Sequence, residues 1–209
     1  LDDPIVIKNE FRSIVDGSPF SLNKEDDSDP EIYGLIGTSL TIRELAERMI
    51  TVSSNMATNI LIELVRPENV MATLDLLGIR RMRVLRGVED GKAYDKGWNN
   101  QTDAHDLLRV MEAIASGKAG SLPFCREMIL ILEKQKFRDG IPAGVPAGVP
   151  VGNKTGSITG INHDAAIVFP PGRRPYILVV LTRGAKSPEE GDRLIARLSG
   201  LVYARVVPG

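Results

Sequence analysis

Through the middle of the chain, apolar residues recur every three to four positions, and they then give way to short apolar runs separated by turns. The first pattern is typical of amphipathic helices and the second of strands. Helical spacing extends from about Thr41 to Asp139, and the texture changes after Gly140. The sequence therefore predicts an α+β fold, with a mostly helical region over residues 1–140 and antiparallel strands with a last helix over residues 141–209.

The helical region carries start and stop signals that divide it into separate helices. Thr41 and Glu44 form a capping box, in which the threonine hydroxyl and the glutamate each accept a backbone N–H, and this helix is predicted to end near Val52. The other predicted helices are Met56 to Val65 capped by Asn55, Pro67 to Gly78, a helix capped by Thr102 that stops at Gly117, and Pro123 to about Gly140. Residues 84–101 are dense in Gly, Asp and Asn and are predicted to form a long ordered loop.

Two identical tetrapeptides follow the helical region, Ala143-Gly-Val-Pro146 and Ala147-Gly-Val-Pro150. Proline cannot donate a hydrogen bond to a sheet, so this local duplication is predicted to be a loop that becomes a strand only later. The predicted strands are 152–159, 163–169 and 175–183. Their short connections require antiparallel pairing.

A last amphipathic helix is predicted after the strands. Ser187 and Glu190 have capping-box spacing. Its apolar residues are expected to cover one face of the sheet, and they are Leu194, Leu198, Leu201 and Val202.

Composition narrows the possible functions. The chain has 209 residues, 43% of them hydrophobic and 25% charged, with a net charge of -1. Basic residues are scattered, so nucleic acid is not an expected partner. The longest apolar run, Tyr176 to Leu181, is too short to span a membrane. The single cysteine, Cys125, excludes an internal disulfide and is predicted to be a buried thiol.

The chain starts at Leu1 without a methionine or a signal peptide. We therefore expect a processed form or a fragment.

Two short motifs carry most of the chemical information. Lys154-Thr155-Gly156-Ser157 opens the first predicted strand, where a lysine, hydroxyls and a glycine that leaves the backbone accessible suit an anion-binding wall. Alone, this motif would also fit a surface hairpin. Ser53-Ser54-Asn55 lies between two predicted helices, and Ser-x-Asn followed by Lys-Thr-Gly is the motif pair of serine β-lactamases and penicillin-binding proteins.

On these motifs and on the order of its elements, the chain resembles the class A β-lactamase and penicillin-recognising serine hydrolase family. The resemblance implies a β-lactamase/transpeptidase-like fold and a small-molecule substrate, either a β-lactam or a D-Ala-D-Ala-like peptide. It also implies a periplasmic or secreted location and no cofactor. No metal site is expected, because His105 and His163 are isolated in the sequence and are predicted to be structural.

The resemblance also implies roles for the motif residues. Ser53 would relay a proton to the departing nitrogen, and Asn55 would hydrogen-bond the side-chain amide of the substrate. Lys154 would supply positive potential, while Thr155 and Ser157 would bind the substrate carboxylate. For Ser53 and Asn55, the alternative is that Asn55 simply caps a helix.

The third family motif, Ser-x-x-Lys with the nucleophile, has one literal match, Ser21-Leu-Asn-Lys24. A charged run, residues 25–30, follows it, whereas a lysine that activates a serine must be desolvated enough to lose its proton. This match is therefore interpreted as a coincidence. The nucleophile, with a helix and two strands of the family fold, is expected in a missing segment before Leu1.

Glu89 is the candidate base for hydrolysis, because its loop matches the position of the family's acidic loop. Family β-lactamases usually carry Glu-x-x-x-Asn, but the fourth residue after Glu89 is Ala93. Asn99 or Asn100 is a possible substitute, and Asp90 is the alternative base. A solvated loop charge remains the other interpretation of Glu89.

Two further positions depart from the family or bear on it. Asn162 and His163 stand on the second strand where many β-lactamases carry an arginine that clamps the substrate carboxylate. Arg138 fits either that clamp or a cation at a helix C-terminus.

Three functions remain compatible with the sequence. The first is a β-lactamase-like serine hydrolase that acts through an acyl-enzyme. The second is a penicillin-binding D-alanyl carboxypeptidase or an esterase, for which the incomplete surroundings of Glu89 would be natural. The third is a non-catalytic module that binds β-lactams or cell-wall ligands.

Overall fold

The computed structural model describes residues 1–207, which contain seven α-helices and seven β-strands. The helices are α1 (Ile42–Thr51), α2 (Asn55–Val65), α3 (Pro67–Leu76), α4 (Gly91–Asp95), α5 (Ala104–Ala115), α6 (Leu122–Glu133) and α7 (Pro188–Val206). The strands are β1 (Pro4–Val6), β2 (Phe11–Arg12), β3 (Pro19–Phe20), β4 (Ser39–Thr41), β5 (Val151–Ile158), β6 (Ile161–Val168) and β7 (Tyr176–Arg183). Within the described residues, no helix has both the length and the apolar character needed to cross a membrane.

The chain forms two compact units. The first is Leu1–Thr102, and the second begins at Asp103. Helices α5 and α6 therefore lie in the same unit as the sheet β5–β7, although their apolar residues have the same helical spacing as those of the earlier helices.

The first unit encloses a core between α1, α2 and the segments before them. Fully buried residues include Ile32, Leu45 and Met56. Two short antiparallel pairs, β1 with β4 and β2 with β3, edge this core, and the sequence analysis predicted neither. They are two or three residues long, too short to show an alternating pattern.

The second unit is built on a three-stranded antiparallel sheet in the order β5-β6-β7, which confirms the predicted strands and their direction. Helix α6 packs against β5, and α5 packs against β6 and β7. Helix α7 packs against β6 and against the short helical turn Ile141–Gly144. Cys125 on α6 is buried, as predicted.

The predicted helix starts are confirmed at Thr41 and Ser187, and they are wrong by one residue at two others. Both elements of the Thr41 capping box are formed, and Ser187 accepts the N–H of Glu190. Helix α2 is capped by Ser54, whose Oγ accepts the N–H of Ala57, so Asn55 is its first helical residue instead of its cap.

Helix α5 is capped by Asp103 rather than by Thr102, because Asp103 Oδ1 accepts the N–H of Asp106 at 2.8 Å. A carboxylate and a hydroxyl stood side by side in the sequence, and either suits an N-cap.

Two predicted boundaries inside the helical region are also wrong. Helix α6 ends at Glu133 instead of near Gly140, because the next turn leaves the helix to bind β5. Buried Gln135 donates to the backbone oxygen of Asn153, and its own oxygen accepts the N–H of Phe137. The predicted loop 84–101 contains the short helix α4.

The predicted sheet-facing stripe of α7 is wrong for its three leucines. Leu194, Leu198 and Leu201 are 47%, 39% and 63% exposed, whereas Ile195 and Ser199 are fully buried. Val202, the fourth predicted residue, is half-buried. Ser199 Oγ donates to the backbone oxygen of Ile141, so small and hydrogen-bonding residues fix the rotation of this helix. The spacing of leucines alone could not reveal that choice.

The duplicated tetrapeptides adopt different conformations. A Cβ on Gly144, in the first copy, would lie 2.6 Å from Ser199 Cβ of α7. Gly148, in the second copy, has open space around it but a φ of +84°.

Candidate active site

Ser53 lies at the junction between α1 and α2 in a strained conformation. It is half-buried and has a φ of 56°, in the left-handed region that side chains other than glycine rarely adopt. Only two other non-glycine residues of the described chain have positive φ, Glu89 and Arg66. Such strain costs about 1–3 kcal/mol, and strained residues concentrate at functional sites.

Asp27 holds the start of α2 in place. Its buried carboxylate accepts the backbone N–H of Asn55 and of Met56, each at 3.0 Å. Asn55 also donates its side-chain amide to the backbone oxygen of Asp26. The Ser-x-Asn turn is therefore fixed by a carboxylate at the helix N-terminus, where negative charge is favoured.

A second buried carboxylate supports the same turn through α1. Asp29 accepts two hydrogen bonds from Arg48 Nη1, at 2.9 and 2.8 Å, and the backbone oxygen of Arg48 accepts the N–H of Ser54. The charged run 25–30 therefore contains two structural carboxylates. The sequence analysis missed them, because sequence alone does not show which helix end a distant aspartate reaches.

Ser21 and Lys24 are both exposed in the structure. Neither side chain has the buried surroundings that a serine nucleophile and its lysine base require. Their environment agrees with interpreting this Ser-x-x-Lys match as a coincidence.

Glu89 is exposed, has a φ of 60°, and makes no side-chain hydrogen bond or ion pair among the described residues. The residue before it is held firmly. Asn59 of α2 donates Nδ2 to the backbone oxygen of Val88 at 3.0 Å, and its Oδ1 accepts the N–H of Val88 at 2.6 Å. Asn59, which the sequence analysis missed, thus positions the segment that carries Glu89.

Asp90, the predicted alternative base, has a structural role instead. It is buried and accepts hydrogen bonds from Ser13 Oγ, from the N–H of Ile14 and from the N–H of Ala93, so that it caps α4. Burial by itself raises the pKa of Asp90, but the hydrogen bonds outweigh it, and the pKa lies below its usual value. A carboxylate with this many donors is stabilised in its charged form and is a poor proton acceptor.

Asn99 and Asn100 bind Arg86 and its neighbour rather than Glu89. Asn99 Oδ1 accepts from Arg86 Nη2 at 2.7 Å, and Asn100 Oδ1 accepts the N–H of Leu85 at 2.8 Å. These contacts close the loop at its base. The predicted substitution for the missing asparagine is therefore not supported by any contact of these two side chains.

Lys154 lies half-buried on β5, where its Nζ donates to the backbone oxygen of Thr155 at 2.6 Å. Burial lowers the pKa of Lys154 to about 8, and the charge of Asp164 opposes this change. Asp164 stands directly opposite Thr155 on β6. The pKa of Lys154 therefore lies close to neutral pH, and perturbed pKa values of this kind are common among functional groups.

Asp164 belongs to a buried polar network just before Lys154. Asn153 Nδ2 donates to Asp164 Oδ1 at 3.0 Å, and the N–H of Ile141 donates to Asp164 Oδ2 at 2.8 Å. Burial raises the pKa of Asp164 to about 6, although these hydrogen bonds and the charge of Lys154 lower it in part. The network fixes β5 at the residue adjacent to Lys154.

The rest of the motif faces more open surroundings. Thr155 is half-buried, while Gly156 and Ser157 are exposed and pair with His163 and Asn162 on β6. Asn162 is buried and donates to the backbone oxygen of Pro188, so its amide holds the start of α7. His163 Nδ1 lies 2.7 Å from its neighbour's backbone oxygen.

Arg138 is not a helix C-terminal cation, because α6 has ended five residues earlier, at Glu133. Its Nη1 donates to the backbone oxygen of Val151.

His105 is not isolated in the structure. Its ring nitrogen and the carboxylates of Asp103 and Asp106 lie within 4.8 Å of one another. Asp103 caps α5, which accounts for its position.

The candidate motif residues are divided between the two units. The first carries Ser53 and Asn55 at the start of α2, together with Glu89 on a segment held by the same helix. The second carries Lys154 to Ser157 on β5. The sequence matches the β-lactamase enzyme family over residues 1–206. The chain belongs to this family.

Individual family members agree with this assignment. A β-lactamase of Streptomyces albus G is 32% identical over 188 residues, which cover 82% of this chain and 56% of that protein. The chain thus spans about half the length of the curated relatives that it matches.

Solved structures extend the agreement to the fold. A β-lactamase from Sphaerobacter thermophilus has a TM-score of 0.82 at 27% identity, covering 100% of this chain and 76% of that chain. A structure named PBP-A has a TM-score of 0.74 at 26% identity, covering 84% and 64%. The fold is therefore α+β and β-lactamase/transpeptidase-like, as the motifs predicted.

Proposed function

We propose that the protein is a serine hydrolase that cleaves β-lactams through an acyl-enzyme. The observation that carries the proposal is the strained turn at Ser53, which two buried carboxylates hold at the start of α2. A protein stabilises such a conformation at a cost, and a hydroxyl presented there is suited to proton transfer.

The other motif residues have roles consistent with this chemistry. Ser53 returns a proton to the departing lactam nitrogen, and Asn55 hydrogen-bonds the substrate side chain. Lys154 supplies a positive field, while the hydroxyls of Thr155 and Ser157 bind the substrate carboxylate beside the accessible backbone of Gly156. Donors that are already oriented cost no reorganisation when charge develops.

The acyl-accepting serine is not Ser21 in this proposal, because both Ser21 and Lys24 are exposed. We assign the nucleophile and its lysine to a segment outside residues 1–209. Export to the periplasm or beyond follows from the substrate class and is part of the same proposal.

A D-alanyl carboxypeptidase is the second candidate. It is favoured by the surroundings of Glu89, which is exposed and unpaired among the described residues, and by Ala93 in place of the expected asparagine. If Glu89 does not hold a water, deacylation by hydrolysis of a β-lactam is slow, as in penicillin-binding proteins. A non-catalytic binding module is the third candidate.

One experiment separates the three candidates. The natural gene product is incubated with benzylpenicillin, nitrocefin and a D-Ala-D-Ala peptide, and adducts are mapped by mass spectrometry. Nitrocefin turnover supports the β-lactamase, whereas a lasting adduct with peptide cleavage supports the carboxypeptidase. Binding without an adduct supports the module. An adduct on Ser21 contradicts the assignment of the nucleophile, and Ser21→Ala, which is expected to leave all three readouts unchanged, is the control.

A further inference from the structure

The first unit contains a cavity that the proposed chemistry does not use. A cavity of about 180 Å³ lies between the β2–β3 hairpin, the end of α2, the start of α3 and the base of the acidic loop. Its apolar walls include Phe11, Phe20 and Ile62. The rings of Phe11 and Phe20 lie 5.8 Å apart and are tilted by 42°.

Its size suits a small apolar group. Ligand sites for drug-sized molecules usually occupy about 300–1,000 Å³, which is more than this cavity offers. An apolar cavity of about 150 Å³ is known to hold benzene. One phenyl ring or a branched alkyl group therefore fits, and a larger ligand does not.

Most charges around the cavity are already paired. Glu63 bonds Lys8 at 2.6 Å. Arg12 bonds Glu10 at 3.1 Å. Arg86 donates to the backbone oxygen of Trp98 and to Asn99. These side chains shape the cavity without leaving a strong unpaired charge.

Arg66 and Glu68 are the exceptions. Arg66 is exposed and lines the cavity, and its guanidinium makes no hydrogen bond or ion pair with any residue that the structure describes. It also joins α2 to α3 at a φ of 64° and makes no side-chain cap. Glycine would adopt this conformation without strain, so the backbone gives no reason for an arginine here.

The three strained non-glycine residues are Ser53, Glu89 and Arg66. Two of them are candidate catalytic residues, and the third lies at a cavity. A guanidinium binds a carboxylate through two parallel hydrogen bonds, and such charge-assisted bonds are about twice as strong as neutral ones.

We propose that this cavity is a binding site for a small aryl or branched alkyl carboxylate, with the apolar group between Phe11, Phe20 and Ile62 and the carboxylate on Arg66. The site also touches Asn59 and Gly87, which adjoin the segment carrying Glu89. Glu68, on the same cavity, has no ion pair within the described chain either, so its carboxylate favours a ligand amino group there.

The test uses 3-phenylpropionate as the probe and follows backbone amide shifts by NMR, with thermal shift as a second measurement. We expect saturable shifts at Phe11, Phe20 and Arg66. 3-Phenylpropionamide and acetate each lack one half of the recognition and are expected to bind at least 10-fold more weakly. Phenylalanine tests whether Glu68 contributes.

Two variants make the result decisive. Arg66→Gly is expected to retain or raise the melting temperature, because it relieves the left-handed strain, while it weakens 3-phenylpropionate at least 10-fold. Ile62→Trp should fill the cavity and abolish binding. Arg80→Gln, at an exposed arginine paired with Asp75, is the matched control and should bind as the parent does.

Three outcomes overturn the proposal: no saturable shift up to 10 mM probe, equal binding of the acid and the amide, or unchanged affinity in Arg66→Gly.

Discussion

The side chain of Asn59 binds both backbone groups of Val88, with Nδ2 to oxygen at 3.0 Å and nitrogen to Oδ1 at 2.6 Å. One buried amide on α2 therefore substitutes for a strand partner and fixes the residue before Glu89. Gly87 allows this approach, because a Cβ there would lie 2.8 Å from Asn59 Cγ.

Asn59→Ala should lower the free energy of unfolding by about 1–3 kcal/mol, because it leaves two partly buried backbone groups of Val88 without partners. Denaturant unfolding measures the loss, and hydrogen exchange should accelerate at Val88. Asn69→Ala, on an exposed asparagine, is the control and should change stability much less.

Gly87→Ala should be destabilising on its own, by about 1–3 kcal/mol, because the added methyl collides with the Asn59 side chain. In an Asn59→Ala background the same change should cost clearly less, since the obstacle has been removed. Additive effects in the double variant would show that the two residues do not interact in this way.

Asp27→Asn should destabilise the protein by about 1.5–3 kcal/mol, since an amide cannot accept all the hydrogen bonds that this carboxylate accepts. The Ser53 turn should loosen with it, which amide exchange at Asn55 and Met56 would detect. Asp26→Asn changes the exposed neighbour and serves as the control. Unaltered exchange in Asp27→Asn would show that the turn is held by other contacts.

Ser53→Gly should leave stability unchanged or raise it by up to about 1 kcal/mol, because glycine adopts the left-handed conformation freely. Acylation by β-lactams should fall at the same time. Thermal melts and adduct formation in the natural gene product measure the two effects. A variant that loses stability would mean that the Ser53 side chain supports the fold.

The stability of the second unit should depend on pH through Asp164 and Lys154. The pKa of Asp164 is raised to about 6 from 3.8, so its contribution is fully present below pH 3.8 and is lost as the pH rises through 6. The pKa of Lys154 is lowered to about 8 from 10.5, so its contribution is present above pH 10.5 and is lost as the pH falls through 8.

Unfolding measured from pH 4 to 10 should therefore show a falling limb that Asp164→Asn removes and a rising limb that Lys154→Met removes. In Asp164→Asn the Lys154 amine should also titrate at lower pH, because the charge that favours its protonated form has gone. NMR of the labelled lysine amine measures this. An unchanged lysine titration would show that the two groups are not coupled.

In the natural gene product, Lys154→Ala should slow acylation by about 2–4 kcal/mol in activation free energy, the range for losing an oriented donor. Glu89→Gln should affect acylation less and allow the acyl-enzyme to accumulate. Stopped-flow kinetics and mass spectrometry separate the two steps. Turnover that Glu89→Gln leaves unaltered would favour the carboxypeptidase.

The sequence sufficed for features that depend on local chemistry. The Thr41 capping box, the antiparallel strands and the position of Lys154 on the first of them were predicted correctly, because turn residues and short connections determine them. The family resemblance supplied the fold class, which composition and periodicity alone would have left open among α+β folds.

Features that depend on distant residues could not be predicted. Nothing near Asp27 shows that it reaches Asn55, 28 residues away. Glu89 and Asp90 are adjacent acidic residues, yet Glu89 is exposed, whereas Asp90 is buried. Asp90 accepts a hydrogen bond from Ser13, which lies 77 residues earlier in the sequence. The rotation of α7 likewise depends on the hydrogen bond from Ser199 to the backbone oxygen of Ile141. The spacing of its leucines does not predict this rotation.

The two copies of Ala-Gly-Val-Pro have the same sequence, but their glycines meet different structural requirements. In the first copy, Gly144 is required for its lack of volume, because α7 leaves no room for a methyl group. In the second, Gly148 is required for its backbone freedom, because the chain turns there at a φ of +84°. An alanine at Gly144 would push the last helix outward, whereas an alanine at Gly148 would strain only the turn. Deleting one copy would leave a single glycine, which cannot lie against α7 and also form the later turn. The shortened segment would therefore require α7 to pack differently against the sheet.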